Sequence, residues 1–158
     1  MKGENHYNLT VKWTGNKGAG TPDYRAYDRS YSIAVEGKAD ILGSSDPAYL
    51  GDSTKHNPEE LLVASLSSCH MLWYLHLCAE AKIVVIGYVD NATGIMDVNS
   101  TGGGHFTKVT LNPIVTVTNK SMIEKAKELH KKANELCFIA NSVNFPVEHN
   151  ATIRIGGS

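Results

Sequence analysis

A chain of 158 residues is the size of one domain, and its 15 basic and 16 acidic side chains leave a formal net charge of −1. The charges mix along the sequence with no basic block or stripe, which argues against nucleic acid and anionic membrane as partners. Three cysteines without a Cys-x-x-Cys pair do not make a secreted disulfide scaffold, so reduced thiols in a reducing compartment are expected. Met1-Lys2-Gly3-Glu4-Asn5-His6 is polar and lacks the apolar core of a signal peptide. The expectation is a cytoplasmic protein with a single domain over residues 1–158.

From Tyr7 to Thr14 the chain alternates as a strand does, with Leu9, Val11 and Trp13 on one face. A Gly-rich turn at Gly15, Gly18 and Gly20 leads to a second strand carrying Tyr31, Ile33 and Val35. Residues 43–56 hold Gly, Ser, Asp and Pro with little periodicity and read as a long loop, a kind more often functional than idle. Asn57 then caps a helix, Pro58 fits its first position, and Glu59 and Glu60 place carboxylates in its first turn. The helix is expected to reach Ala81, roughly 37 Å away. Its apolar residues run nearly all round, which implies burial on most sides and suggests a second subunit to cover it. Ser65, Ser67, Ser68, His70, His76 and Glu80 interrupt the run, which argues against a membrane span.

Two β-rich stretches follow, Ile83–Val98 and Phe106–Thr118, joined by a hairpin loop at Thr101–Gly104. That loop is no phosphate loop, because a strand follows it and no Gly-Lys-Ser/Thr is present. Ser121 opens a second helix, with Glu124 completing a capping box. Met122, Ala126, Leu129, Ala133 and Leu136 form its apolar stripe, flanked by Ile123 and Cys137, so Cys137 faces the interior at the helix end. Thr152–Ile155 closes the chain as a strand. The order β-β-α-β-β-α-β gives an α+β fold, a long buried central helix enclosed by antiparallel sheet.

The run from His56 to His70 contains Asn57-Pro58-Glu59 and, ten residues after Glu59, Cys69. It resembles the signature of the OsmC/Ohr family of peroxidases, which sets an Asn-Pro-Glu at the start of the central helix and the attacking cysteine ten residues on. Asn134-Glu135-Leu136-Cys137 is similar to the family's resolving-cysteine region, and Asp23-Tyr24-Arg25-Ala26 to its early arginine motif. The resemblance covers nearly the whole chain and implies an OsmC-like, intertwined homodimer. It implies the reduction of organic hydroperoxides, and less readily of hydrogen peroxide. Dihydrolipoyl groups or another dithiol would supply the electrons, with no bound cofactor. It assigns the attacking thiolate to Cys69, the resolving thiol to Cys137 through a Cys69–Cys137 disulfide, and an activating pair to Arg25 and Glu59.

The residues agree in one respect. Cys69 lies mid-helix, where no helix N-terminus favours a thiolate, so a cation is required, and a guanidinium suits both a thiolate and a peroxide oxygen. Ten helical residues separate Glu59 from Cys69 by roughly 15 Å along the axis and about 80° round it. A site shared across the dimer is therefore expected. Phe138, Ile139 and Ala140 depart from the family pattern after the resolving cysteine. Cys78, amid Leu75, Leu77 and Ala79, reads as core. His70 points away from Cys69, His76 reads as a partnered core histidine, and the seven histidines show no zinc-site spacing. Trp73, Tyr74, Phe138 and Phe145 are core or interface residues that could also line an apolar peroxide pocket. The other readings of the same chain are a dimeric binding module without turnover, for which two placed thiols have no use, and a thiol redox sensor.

Overall fold

Strand alternation, two asparagine caps and one central helix organise the chain, as a computed structural model describing residues 3–156 shows. The chain forms two compact units, Met1–Leu61 and Leu62–Ser158. The first is built on an antiparallel sheet of β1 (Thr10–Trp13), β2 (Tyr31–Ala34) and β3 (Ile41–Gly43), in that order. Trp13 pairs with Tyr31 and its indole N–H donates to the Asp28 carbonyl at 2.8 Å. The Tyr31 ring lies on Gly43 so closely that a Cβ there would meet it at 2.2 Å, so any side chain at that position would have to displace the ring. The long loop is ordered around a short 3-10 turn, Pro47–Tyr49, whose Asp46 side chain accepts from the Ala48 N–H.

Helix α1 spans Pro58–Glu80. Asn57 Oδ1 accepts the Glu60 N–H at 2.8 Å, and Glu60 Oε2 accepts the Asn57 N–H at 3.3 Å. This reciprocal capping box makes the start of α1 one of the best-defined points in the chain. The expected burial on most sides is not observed within one chain. Only Leu66, His70, Tyr74 and Cys78 are buried, every fourth residue, while Leu72 is 63% exposed. The reason is that one chain supplies packing partners to one stripe of α1.

The β-rich stretches divide into β4 (Val85–Asp90), β5 (Thr93–Val98), β6 (Gly104–Leu111) and β7 (Pro113–Val117). After α2 (Ile123–Leu136) come β8 (Val147–His149) and β9 (Thr152–Ile155). These make two three-stranded sheets, β4-β7-β9 and β5-β6-β8. Neither is antiparallel throughout, contrary to expectation: β6 pairs with β8, and β7 with β9, in parallel. Each pairing is closed by the crossover through α2, the kind of connection that parallel strands require.

The capping box expected at Ser121 and Glu124 does not form. Asn119 Oδ1 takes both the Ser121 N–H at 2.9 Å and its hydroxyl at 3.0 Å, drawing Lys120–Met122 into a 3-10 turn, so α2 starts at Ile123. Two apolar cores result. Tyr74, Cys78, Ile83, Val115, Val117, Ala126, Leu129 and Ala133 make one, and Leu66, Val109 and Leu111 the other. By length and apolar composition α1 could cross a bilayer. Its buried stripe contributes to both cores, Leu66 to one and Tyr74 and Cys78 to the other.

Candidate thiol site

Cys69 is partly buried on α1, in a chain whose three cysteines are all free. Cys137 ends α2 at 1% exposure, its backbone already extended at φ −64°, ψ 113°. The chain then folds back in a 3-10 turn at Ala140–Ser142, so the Ala140 N–H donates to Cys137 Sγ at 3.4 Å. Asn141 Nδ2 donates to the Glu135 carbonyl at 3.0 Å and the Ser142 hydroxyl to the Phe138 carbonyl at 2.7 Å, fixing the turn. Burial pushes the Cys137 thiol up to about 11, and the adjacent Cys69 thiol pushes in the same direction. The backbone N–H groups of Ala140 and Ile139 oppose this more weakly. Two free thiols from different helices are thus neighbours, the starting arrangement for a two-electron disulfide couple.

Beside them lies an apolar groove of about 340 Å³, lined by Leu72, Trp73, His76 and Phe138. Trp73 is one helical turn beyond Cys69 and Phe138 is the residue after Cys137, and their rings meet edge to face at 5.5 Å. Two of the four aromatic residues considered for a pocket, Trp73 and Phe138, therefore flank the thiols. Tyr74 is buried in one core, and Phe145 packs against the other, on Phe106. His76, expected in the core, is exposed. It faces Glu80 at 3.5 Å and the Trp73 ring at 5.8 Å, because position 76 falls off the buried stripe. Cys78 is buried beside Tyr74, and burial raises its pKa, as a core thiol should behave.

Arg25 and Glu59 belong to the first unit. Arg25 is exposed, and its backbone N–H donates to Asp23 Oδ1 at 2.8 Å. Glu59 is half-buried in the first turn of α1 and lies near Tyr31, whose hydroxyl burial raises, with the Glu59 carboxylate adding to it. The guanidinium held by its surroundings is that of Arg29. It lies over the Tyr24 and Tyr27 rings at 4.3 and 4.2 Å and donates to both of their carbonyls. Sequence reasoning passed over Arg29, although tyrosines two and five residues before an arginine are a readable clamp.

A buried histidine cluster was also missed. His70 Nε2 and His130 Nδ1 stand 3.0 Å apart, both residues at or below 1% exposure. The His149 ring lies 5.6 Å from one and 6.1 Å from the other. Burial drives His70 down to about 4 and His130 down to about 3, and lowers His149 as well. The positions are legible afterwards: 130 follows 126 and precedes 133 on the apolar stripe of α2.

Residues 51–152 match the family of OsmC-like proteins. An OsmC-like protein of unknown function from Vibrio cholerae is 35% identical with a TM-score of 0.85, covering 94% of this chain and 100% of its own. An OsmC-like protein from Mycoplasma pneumoniae shares the fold at 15% identity and a TM-score of 0.73, over 96% and 99% of the two chains. So does an organic hydroperoxide resistance protein from Elizabethkingia anophelis, at 20% identity and a TM-score of 0.66, over 97% and 99%. Among curated protein sequences none matches.

Proposed function

The chain belongs to the family of OsmC-like proteins, and on that premise we propose that it is a cysteine-based thiol peroxidase for organic hydroperoxides. The observation that carries the reading is the neighbouring pair of reduced thiols, Cys69 and Cys137, beside an apolar groove. In the first step the Cys69 thiolate attacks the outer peroxide oxygen. The O–O bond breaks, the alkoxide takes a proton and leaves as an alcohol, and sulfur is oxidised to sulfenic acid. In the second, Cys137 sulfur attacks the Cys69 sulfur and its proton goes to the departing hydroxyl, which leaves as water. An external dithiol then reduces the Cys69–Cys137 disulfide and is itself oxidised to a disulfide.

The raised pKa of Cys137 suits this division of labour. It keeps Cys137 a thiol at neutral pH, leaving the first attack to Cys69 and bringing the proton that the water needs. The groove of Leu72, Trp73, His76 and Phe138 offers an apolar wall to the organic part of the substrate. Arg25, held by Glu59, is proposed as the cation for the Cys69 thiolate, with Arg29 as the competing candidate. The functional unit is proposed to be an intertwined homodimer: Leu72 at 63%, Phe138 at 66% and Val11 at 60% exposure leave more apolar surface open than a lone chain of this size usually does.

The test is one equivalent of cumene hydroperoxide added to the reduced protein, with thiols counted before and after and the new disulfide located by mass spectrometry. Loss of two thiols per chain and a peptide cross-link between Cys69 and Cys137 is the expected result. Binding of the hydroperoxide without thiol loss would favour a non-catalytic module instead.

A further inference from the structure

Cys69 lies on α1 and Cys137 caps the end of α2, and a short polar seam joins the two helices between the two apolar cores. His70 follows Cys69 directly on α1, and His130 lies two turns before Cys137 on α2, roughly 10 Å along its axis. His70 Nε2 and His130 Nδ1 are 3.0 Å apart with their rings 6° from parallel. One turn further along α1, the Tyr74 ring stacks on His130 at 3.8 Å and its hydroxyl donates to the Ala126 carbonyl at 2.9 Å.

An apolar pair would fill this place at lower cost. Only one N–H can lie between the two rings, so in either tautomer one N–H and one bare nitrogen are left over. His70 Nδ1 and His130 Nε2 have no partner. A buried unpartnered N–H costs about 1–3 kcal/mol. What the pair supplies in return is direction. Apolar side chains let helices slide and rotate past one another, whereas an N–H···N bond fixes both the separation and the angle of approach. Among the described residues no three His, Cys, Asp or Glu side chains converge as metal ligands would, which leaves the bond between the rings as the feature to explain.

We propose that the His70–His130 hydrogen bond is a clasp that sets the approach of α1 to α2 and so holds Cys137 within reach of Cys69. Both histidines are positioning residues for disulfide formation, and the proposal rests on the thiol-pair reading above. Cys69 moves with His70 because they are adjacent in one helix, and Cys137 moves with His130 because α2 is continuous between them. A disulfide demands Cβ atoms about 3.5–4.5 Å apart, so a helix shift of even an ångström matters to its closure.

The reduction potential of the Cys69–Cys137 disulfide isolates this claim from peroxide chemistry. The protein is equilibrated in dithiothreitol redox buffers, with the disulfide formed by diamide and followed by peptide mapping. His130→Phe keeps a ring to stack on Tyr74 but removes both nitrogens. It is expected to lower the equilibrium constant for disulfide formation about tenfold, a potential about 30 mV less negative. His130→Asn, which places an amide at the Nδ1 position, is expected to recover most of that shift, a rescue that simple loss of packing would not give. If His130→Phe does not fold, His130→Gln, whose amide overshoots the Nδ1 position, must show the same shift. An unchanged potential in the folded variant overturns the clasp alone. Absence of a Cys69–Cys137 disulfide in the wild-type protein, even with diamide, overturns the thiol-pair reading and the clasp together.

Discussion

His70 Nε2 stands 3.0 Å from His130 Nδ1, so the seam between the two apolar cores is closed by a bond between two almost wholly buried rings, and that burial lowers the pKa of each. The Tyr74 ring covers that pair from α1 and His149 from β8. Burial favours the neutral form, and no carboxylate is bonded to either ring among the described residues.

Acid should therefore weaken the protein before the carboxylates titrate. The unfolded chain binds protons on these histidines near pH 6.5, while the folded chain does not until about 4 for His70 and about 3 for His130. The unfolded state thus holds more protons in that window, and stability falls as pH falls from 6.5 toward 4. Urea unfolding at pH 7 and pH 5 should differ by on the order of 1 kcal/mol or more. Equal midpoints at the two pH values would show that the rings are not held neutral.

Tyr74→Phe should remove the hydroxyl bond to the Ala126 carbonyl and leave the stack on His130 in place. The expected loss is about 1 kcal/mol, because that carbonyl can keep its helical partner in α2. Thermal unfolding checks it. A loss above about 3 kcal/mol would mean that the hydroxyl holds more than one contact.

Among the cations, Arg25→Ala should slow alkylation of Cys69 by iodoacetamide at pH 7 about tenfold and slow peroxide turnover with it. Arg25→Lys should recover the charge but not the guanidinium fork, and so rescue only in part. Glu59→Gln should act in the same direction but less. Should Arg29→Ala have the larger effect and Arg25→Ala none, the tyrosine-clamped guanidinium is the activating group, and the role proposed for Arg25 is wrong.

Oligomeric state follows from α1. Its buried stripe is one residue in four, and Leu72 on the opposite face is 63% exposed, so a second copy is expected to cover it. Sedimentation at micromolar concentration should give a dimer, and Leu72→Glu should shift it toward monomer. A wild-type monomer under those conditions would contradict the assembly.

How far the residues alone carried the fold can be seen at the two helix starts. Asn57, Pro58 and Glu60 are a local signal, complete within four residues, and α1 begins where they place it. Ser121 and Glu124 look equally local, yet Asn119 captures Ser121 first, a competition that pattern reading did not weigh. The parallel pairing of β7 with β9 and the His70–His130 contact depend on segments tens of residues apart meeting in space, and no local period reports that. Cys69 and Cys137 were singled out through a family resemblance, which spans a distance that local pattern cannot.

The most direct measurement is the fate of those two thiols under an organic hydroperoxide. With one equivalent of cumene hydroperoxide and no other oxidant, the wild-type protein should lose two thiols per chain and form a Cys69–Cys137 disulfide. Under the same treatment Cys137→Ser should stop at a sulfenic acid on Cys69 that dimedone traps. Full retention of all three thiols, or a disulfide that leaves Cys69 out, would contradict the account.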